Sequence, residues 1–313
     1  MFRALIVRCL LVALLSAPLV QSAPAEAAPV ARAKAKVKAN ATKKKRKPSP
    51  KDLVRTPLVP ADLGAFPAST KRLEIFLLMG QSNMKGRGVM PAEPLRDPRI
   101  VMMHRRTDGF FLARHPLHLT GDPKDFSRAD NAGVGPGLAF ARAIAEARPE
   151  SRILLIPCAV GGTAVAKWRK GQRLYEETIR RARLALDKAP AGRARIVGAL
   201  WLQGEADSAS PERVAAYAGL LDRMIADLRK DLELPGLPFI ACTIGEMTER
   251  NAAARKEINR LLLDLTNRVS RTACIDSREF ANSIGDGVHF DTATQNRHGR
   301  LYAGSFLKLV GGE

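Results

Sequence analysis

From residue 73 onward, short unbroken apolar runs alternate with longer stretches whose apolar residues recur at helical spacing. Residues 73–79 (LEIFLLM) run into Gly80, and residues 153–156, 196–201 and 239–242 form further runs, with weaker ones at 100–103 and 272–275. Runs without polar alternation fit strands covered on both faces. Between them, residues 136–146, 174–189, 211–232, 249–269 and 292–309 have the period of amphipathic helices. Pro211 stands at a first helical position, after Ser208 and Ser210 as candidate caps. The alternation predicts a parallel sheet with helices on both faces. Ligands of such sheets bind at the carboxyl ends of the strands.

The chain before residue 71 reads differently. Arg3 precedes an almost wholly apolar core at 9–20, and small residues including Ala23, Ala25, Ala27 and Ala28 follow. This is the pattern of a secretory signal peptide, expected at 1–28, and it predicts a periplasmic or extracellular protein. Residues 29–70 are rich in Ala, Lys and Pro and include the run Lys43, Lys44, Lys45, Arg46 and Lys47. Like-charge repulsion and proline predict an extended tether, either a solvated spacer or an anchor to an anionic polymer of the cell envelope. The folded domain is then expected at 71–313.

Charge refines this division. The formal net charge is +20, but residues 1–72 hold 15 Lys or Arg against 3 Asp or Glu. The excess therefore belongs mostly to the leader and tether, and with aromatics at only 5% a nucleic-acid binder is disfavoured. No run of about 18 uncharged apolar residues predicts a transmembrane span. Cys9 would leave with the leader, while Cys158, Cys242 and Cys274 sit in strand-like stretches and lack metal-ligand spacing. They read as small hydrophobes, and their odd number leaves at least one thiol free or paired between chains.

Four strand-end or loop segments carry candidate chemistry. The first strand leads into Gly80-Gln81-Ser82-Asn83, the third into Gly161-Gly162-Thr163, and the fourth into Trp201-Leu202-Gln203-Gly204-Glu205-Ala206-Asp207. Asp286-Gly287-Val288-His289 precedes the last helix. Acyl transfer by serine needs a hydroxyl, a base, a group that orients the base, and donors for the oxyanion. Ser82 is the candidate nucleophile, His289 the base and Asp286 its orienter, with Glu205 and Asp207 as the next candidates for that last role. The Gly162 N–H, with no side chain beside it, and the Gln203 amide are candidate oxyanion donors. Taken singly, a serine after a strand is usually a helix cap, paired glycines a turn, and Asp-x-x-His a solvated loop. Their order and their placement at strand ends argue for one site.

With these four motifs and Trp168, the chain resembles the sialate O-acetylesterase and acetyl xylan esterase group of carbohydrate esterases, within the SGNH hydrolase superfamily. The resemblance spans about residues 73–310. It implies a flavodoxin-like three-layer α/β/α fold and metal-free, cofactor-free hydrolysis of acetyl esters on a carbohydrate such as acetylated xylan or sialic acid. It also implies Ser82, Asp286 and His289 as catalytic residues, with the Ser82 and Gly162 backbones and the Gln203 side chain forming the oxyanion hole. Gln81, Asn83, Glu205 and Asp207 would support these groups from behind, Glu205 fixing either Gln203 or the loop after the first strand. Leu202 departs from the family, in which His or a polar aromatic often precedes the Gln.

Other residues carry weaker expectations. Trp168 is a candidate for stacking on a sugar ring, although a buried Trp is the commoner use. Arg105, Arg106, Arg114 and Arg128 lie in a long connection expected over the site and are candidates for an anionic sugar or for surface charge. His115 and His118 lack a further ligand for a metal, and His298 is a weaker rival to His289 as base. Outside carbohydrate esters, the alternatives are another acyl ester on the same site, or a catalytically silent glycan-binding module.

Overall fold

The computed structural model of the chain describes residues 57–91, 97–121 and 131–311. The expected signal peptide and the expected tether up to residue 56 lie outside the described residues, as does Arg128. The strands are β1 (Arg72–Gly80), β2 (Ile100–Met103), β3 (Phe110–Leu112), β4 (Ser151–Pro157), β5 (Ala194–Leu202), β6 (Phe239–Cys242) and β7 (Thr272–Ile275). The helices are α1 (Ser82–Lys85), α2 (Gly137–Ala147), α3 (Arg173–Lys188), α4 (Pro211–Asp231), α5 (Ala252–Leu263), α6 (Leu265–Arg268) and α7 (Thr292–Gly311).

One sheet runs in the order β3-β2-β4-β1-β5-β6-β7. Its pairs are parallel except β2–β3. Strands β4-β1-β5-β6-β7 follow the 2-1-3-4-5 order of flavodoxin-like folds, and the β2–β3 hairpin widens the sheet beyond β4. The chain moves from one side of β1 to the other between β4 and β5, so the loops after β1, β4 and β5 border one crevice.

The unbroken apolar runs serve two cores. In β1, Leu73, Ile75, Leu77 and Met79 face one cluster with Tyr175 and Ile179 of α3, Tyr217 and Leu221 of α4, and Ile258 of α5. Phe76 and Leu78 face the other, with Phe140 and Ile144 of α2 and Tyr302 and Phe306 of α7. The Phe76 ring meets Phe140 at 4.8 Å and Phe306 at 5.0 Å, both edge to face, which fixes α2 and α7 on the sheet. Both faces of the central strand are thus dry, which explains the lack of polar alternation. Among the described residues, no helix is long and apolar enough to cross a membrane.

Several expectations change. Strand β3 has no counterpart in the sequence pattern, because three half-buried residues at a sheet edge are too short to show one. The helix expected over 249–269 begins only at Ala252, after Asn251 at φ +55°, and breaks at Asp264, whose carboxylate takes Asn267 Nδ2 at 2.8 Å as α6 starts. Residues 57–70 belong to the folded unit rather than to a tether: Leu58 and Leu63 are buried, and Pro60 bridges to Phe111. The proline cap is as expected, with Ser210 Oγ accepting the Arg213 N–H at 3.4 Å; Ser208 instead donates to the Glu205 carbonyl at 2.9 Å. Cys158, Cys242 and Cys274 are free thiols.

Candidate active site

Strand β1 presents Ser82 by a turn that only glycine permits. Gly80 has φ +127°, and a Cβ on it would lie 2.2 Å from the Leu202 carbonyl oxygen at the end of β5. That carbonyl instead accepts the Gln81 N–H at 3.0 Å. Helix α1 then starts at Ser82 and lasts about one turn. Ser82 caps nothing: its Oγ lies 3.0 Å from His289 Nε2, across 207 residues of sequence. On the far side of the ring, His289 Nδ1 lies 2.6 Å from Asp286 Oδ2.

The loop carrying His289 is built around Asp286. Asp286 Oδ1 accepts the His289 N–H at 2.8 Å and the Val288 N–H at 2.9 Å. Burial alone would raise the Asp286 carboxyl, but these two N–H groups and the imidazole hold it down at about 2. The side chain is nevertheless exposed, so the pair faces solvent. Ser283 Oγ accepts the Gly285 and Gly287 N–H groups, and the Ile284 N–H reaches the His289 carbonyl at 2.9 Å, closing the loop on itself.

Asn83 joins the loop to the sheet. Its Nδ2 donates to Glu205 Oε1 at 2.5 Å and to the Val288 carbonyl at 3.1 Å, and its Oδ1 accepts the Phe290 N–H at 3.0 Å. Burial raises the Glu205 carboxyl, against the opposing effect of the Asn83 bond. Of the two options for Glu205, it holds the segment after β1 and not Gln203. Gln203 is held by Asp207 instead.

Gln203 departs from its expected role. It is fully buried, and its Nε2 lies 2.5 Å from Asp207 Oδ2, 2.9 Å from the Thr163 carbonyl and 3.3 Å from Gln81 Oε1. An amide has two protons, and the Asp207 and Thr163 acceptors occupy both. Asp207 also accepts the Val165 N–H at 3.0 Å, and its carboxyl is raised by burial against these bonds. Tyr217 of α4 donates to the Gln203 carbonyl at 2.8 Å. So placed, Gln203 and Asp207 brace the Gly161-Gly162-Thr163 loop. The two glycines differ in their surroundings: a Cβ on Gly162 would meet nothing within 4 Å, whereas one on Gly161 would stand 3.6 Å from Ser82 Cβ. Gly162 requires glycine for its φ of +71°. Among the described residues, no acceptor takes the backbone N–H of Ser82 or Gly162.

Three further expectations are corrected. Trp168 has no exposed surface; it packs edge-on to Trp201 at 5.4 Å and donates to Thr163 Oγ1 at 3.2 Å, so it supports the glycine loop from below and cannot stack on a sugar. His298 is buried against Phe290 at 4.7 Å and Phe280 at 5.7 Å, and burial pushes it down to about 3, which makes it a core residue. Arg105 is spent on the Pro157 and Ala159 carbonyls and Arg114 is buried, so neither offers a guanidinium to a sugar. The sequence reading quoted Gly161 and Thr163 as part of the glycine motif but gave neither a role of its own. The one signal for either was adjacency to Gly162.

The fold and this arrangement define a class. Residues 72–308 match the family described as carbohydrate esterase, sialic acid-specific acetylesterase, and the chain belongs to it. It is 30% identical to a probable carbohydrate esterase of Arabidopsis thaliana over 75% of this chain and 90% of that protein. It is similar to an Arabidopsis thaliana protein solved by X-ray diffraction, with TM-score 0.63 and 30% identity over 75% of this chain and 98% of that one. The crystal structure of NanS, at 16% identity, shares the fold with TM-score 0.58 over 79% of this chain and all of its own.

Proposed function

We propose that the protein is a serine esterase that removes O-acetyl groups from carbohydrates through an acetyl-enzyme. The observation that carries this reading is the line Ser82 Oγ, His289 Nε2, His289 Nδ1, Asp286 Oδ2, with spacings of 3.0 and 2.6 Å at its two contacts. Ser82 donates its proton to Nε2 as Oγ attacks the acetyl carbonyl, while the Nδ1 proton stays on the ring, donated in a hydrogen bond to Asp286 that fixes the tautomer. The Ser82 and Gly162 N–H groups receive the oxyanion. His289 then returns the proton to the departing sugar oxygen, leaving acetyl on Ser82. Water, deprotonated by the same ring, releases acetate and restores the serine.

Nucleophile, base and oxyanion donors all come from the chain, so the proposed reaction calls on no metal. Exposed Gly161, Gly162 and Asp286 around a Ser82 that is 5% exposed suit an acetyl group that projects from a larger sugar. The leader and basic segment support release outside the cytoplasm, with the tether able to hold the domain to an anionic envelope polymer.

The test is p-nitrophenyl acetate hydrolysis in EDTA by the wild type, Ser82→Ala and His289→Ala. Activity lost in both variants and indifferent to EDTA is the expected result. Activity that persists without Ser82 would sink the mechanism, and a wild type that is inert on acetyl esters but retains glycans would favour a binding module.

A further inference from the structure

We propose that the protein carries a second ligand site, for a phosphate monoester with an apolar body, at the edge of the sheet opposite Ser82. A cavity of about 380 Å³ lies there, bordered by the starts of β5, β6 and β7 and the ends of α2 and α7. Strands rise about 3.3 Å per residue, so Glu74, near the start of β1, stands roughly 20 Å from Gly80 beside the catalytic serine. A ligand held at this edge does not touch the acyl-transfer residues.

Three guanidiniums line the cavity, those of Arg148, Arg195 and Arg271, and among the described residues no carboxylate does. The acid that two of them share is Glu74, which is fully buried. Its Oε1 lies 2.9 Å from Arg148 Nη1, 3.4 Å from Arg195 Nη2 and 3.5 Å from Arg72 Nε, so one carboxylate faces three guanidiniums. Arg271 Nη1 donates to the Leu309 carbonyl at 2.8 Å, which orients the group without neutralising it. Burial, and then the Arg271 charge, lower the neighbouring Arg229 guanidinium. Arg229 shows what a purely structural arginine looks like here: it is buried and donates to the Leu237, Ser270 and Arg271 carbonyls. Arg195 differs, with a side chain 59% exposed and a single long contact to Glu74.

Charge and shape then select the ligand. Arg148, Arg195 and Arg271, offset by Glu74 alone, leave two positive charges at the cavity before Arg72 is counted. A phosphate monoester is close to a dianion above pH 7 and offers three oxygens, which several guanidiniums can share. A carboxylate or a sulfate ester brings one charge. The remaining walls are apolar: Val197 of β5, Leu234, Pro235 and Val310 of α7. They suit the body that carries the phosphate, and the volume is that of a small-molecule site.

The experiment is calorimetric titration of the full chain with phenyl phosphate, phenyl sulfate and inorganic phosphate at about pH 8, where a phosphate monoester is doubly charged. The wild type should bind phenyl phosphate saturably, about tenfold or more tightly than phenyl sulfate and several-fold more tightly than inorganic phosphate. A charge-assisted contact is worth roughly ten- to a hundredfold, so Arg195→Gln should weaken phenyl phosphate by about tenfold or more, while Arg195→Lys keeps part of the affinity. Because Arg195 is exposed, both variants should melt as the wild type does. Saturating phenyl phosphate should leave KM for p-nitrophenyl acetate unchanged. Absent binding, equal affinity for phenyl sulfate, or affinity indifferent to Arg195→Gln would overturn the proposal. Inorganic phosphate binding as tightly as phenyl phosphate would refute the apolar body, and a raised KM would place the ligand in the serine crevice and refute the second site.

Discussion

Asn83 donates to Glu205 at 2.5 Å and, through its side-chain oxygen, accepts the Phe290 N–H at 3.0 Å. One buried side chain thus ties the turn after β1 to the turn after β5 and to the residue following His289. Because its Nδ2 also donates to the Val288 carbonyl, both chain neighbours of His289 hang on the residue next to Ser82. The contact between buried Ser82 and His289 is therefore set from within the protein, although the His289–Asp286 pair faces solvent.

Removing that tie should misplace the base without deleting it. A displacement of about 1 Å lowers rates by about a hundredfold, so Asn83→Ala is expected to reduce kcat/KM on p-nitrophenyl acetate by that order. Glu205→Gln keeps an acceptor for Asn83 and should stay within a few-fold of wild type, while Glu205→Ala should resemble Asn83→Ala. Steady-state kinetics on the three variants decide it, and a fully active Asn83→Ala would remove the positioning role.

Gln203 offers a sharper choice. An oxyanion donor lost alone lowers kcat by roughly 10²–10³-fold and leaves the fold untouched. A buried strut, once removed, leaves the Asp207 carboxylate with only the Val165 N–H and the Thr163 carbonyl without its side-chain donor, and buried groups that lose their partners lower stability by about 1–3 kcal/mol. Gln203→Ala is expected to lower both turnover and Tm, and Gln203→Glu more so, by setting two carboxylates together. A normal Tm with greatly reduced kcat would instead return Gln203 to the oxyanion hole.

The adjacent glycines should separate chemistry from folding. Gly161→Ala sets a methyl in ordinary contact with Ser82 and should lower kcat/KM with little change in melting, since it fills the space an acetyl group enters. Gly162→Ala adds no clash but must hold φ at +71°, a conformation that disfavours a side chain by about 1 kcal/mol. It should melt earlier. Paired kinetics and melting curves on the two proteins check this, and the reverse pattern would mean that the space the acetyl group enters lies on the Cβ side of Gly162 and not of Gly161.

Acid should destabilise the fold through histidines the site does not use. Burial lowers His115 to about 4 and His298 to about 3 from 6.5, and lowers His118 as well. Between about pH 6.5 and 4 the unfolded chain binds protons that the folded protein refuses. Stability is then full above pH 6.5 and falls as the medium is acidified, by up to about 1.4 kcal/mol per pH unit for each histidine. Tm is expected to drop by on the order of 10 °C from pH 7 to pH 5. His298→Phe, which retains ring contacts to Phe280 and Phe290, should make the decline shallower. A flat Tm over this range would show that the histidines do not govern it.

The central strands were legible because burial on both faces leaves no polar position to break the apolar run, as in 73–79. Helices with a continuous stripe, such as α3 and α4, were legible for the same kind of reason. Strand β3 and the break at Asp264 were not, since edge pairing and a local bond between two side chains leave almost no periodic trace. Trp168 illustrates the limit for single residues: its chemistry suits a sugar or a core equally, and only packing under Thr163 and Trp201 decides between them.

The sequence by itself determined the class of fold, the order of the strand-end motifs and the residue types able to perform acyl transfer. Those follow from local periodicity and side-chain chemistry, which are written along the chain. The tertiary structure alone brings His289 to Ser82 across 207 residues and turns the Gln203 protons to Asp207 and Thr163. Distances and hydrogen bonds between remote segments arise from the way the sheet brings β1, β4 and β5 to one edge, and no local pattern carries them.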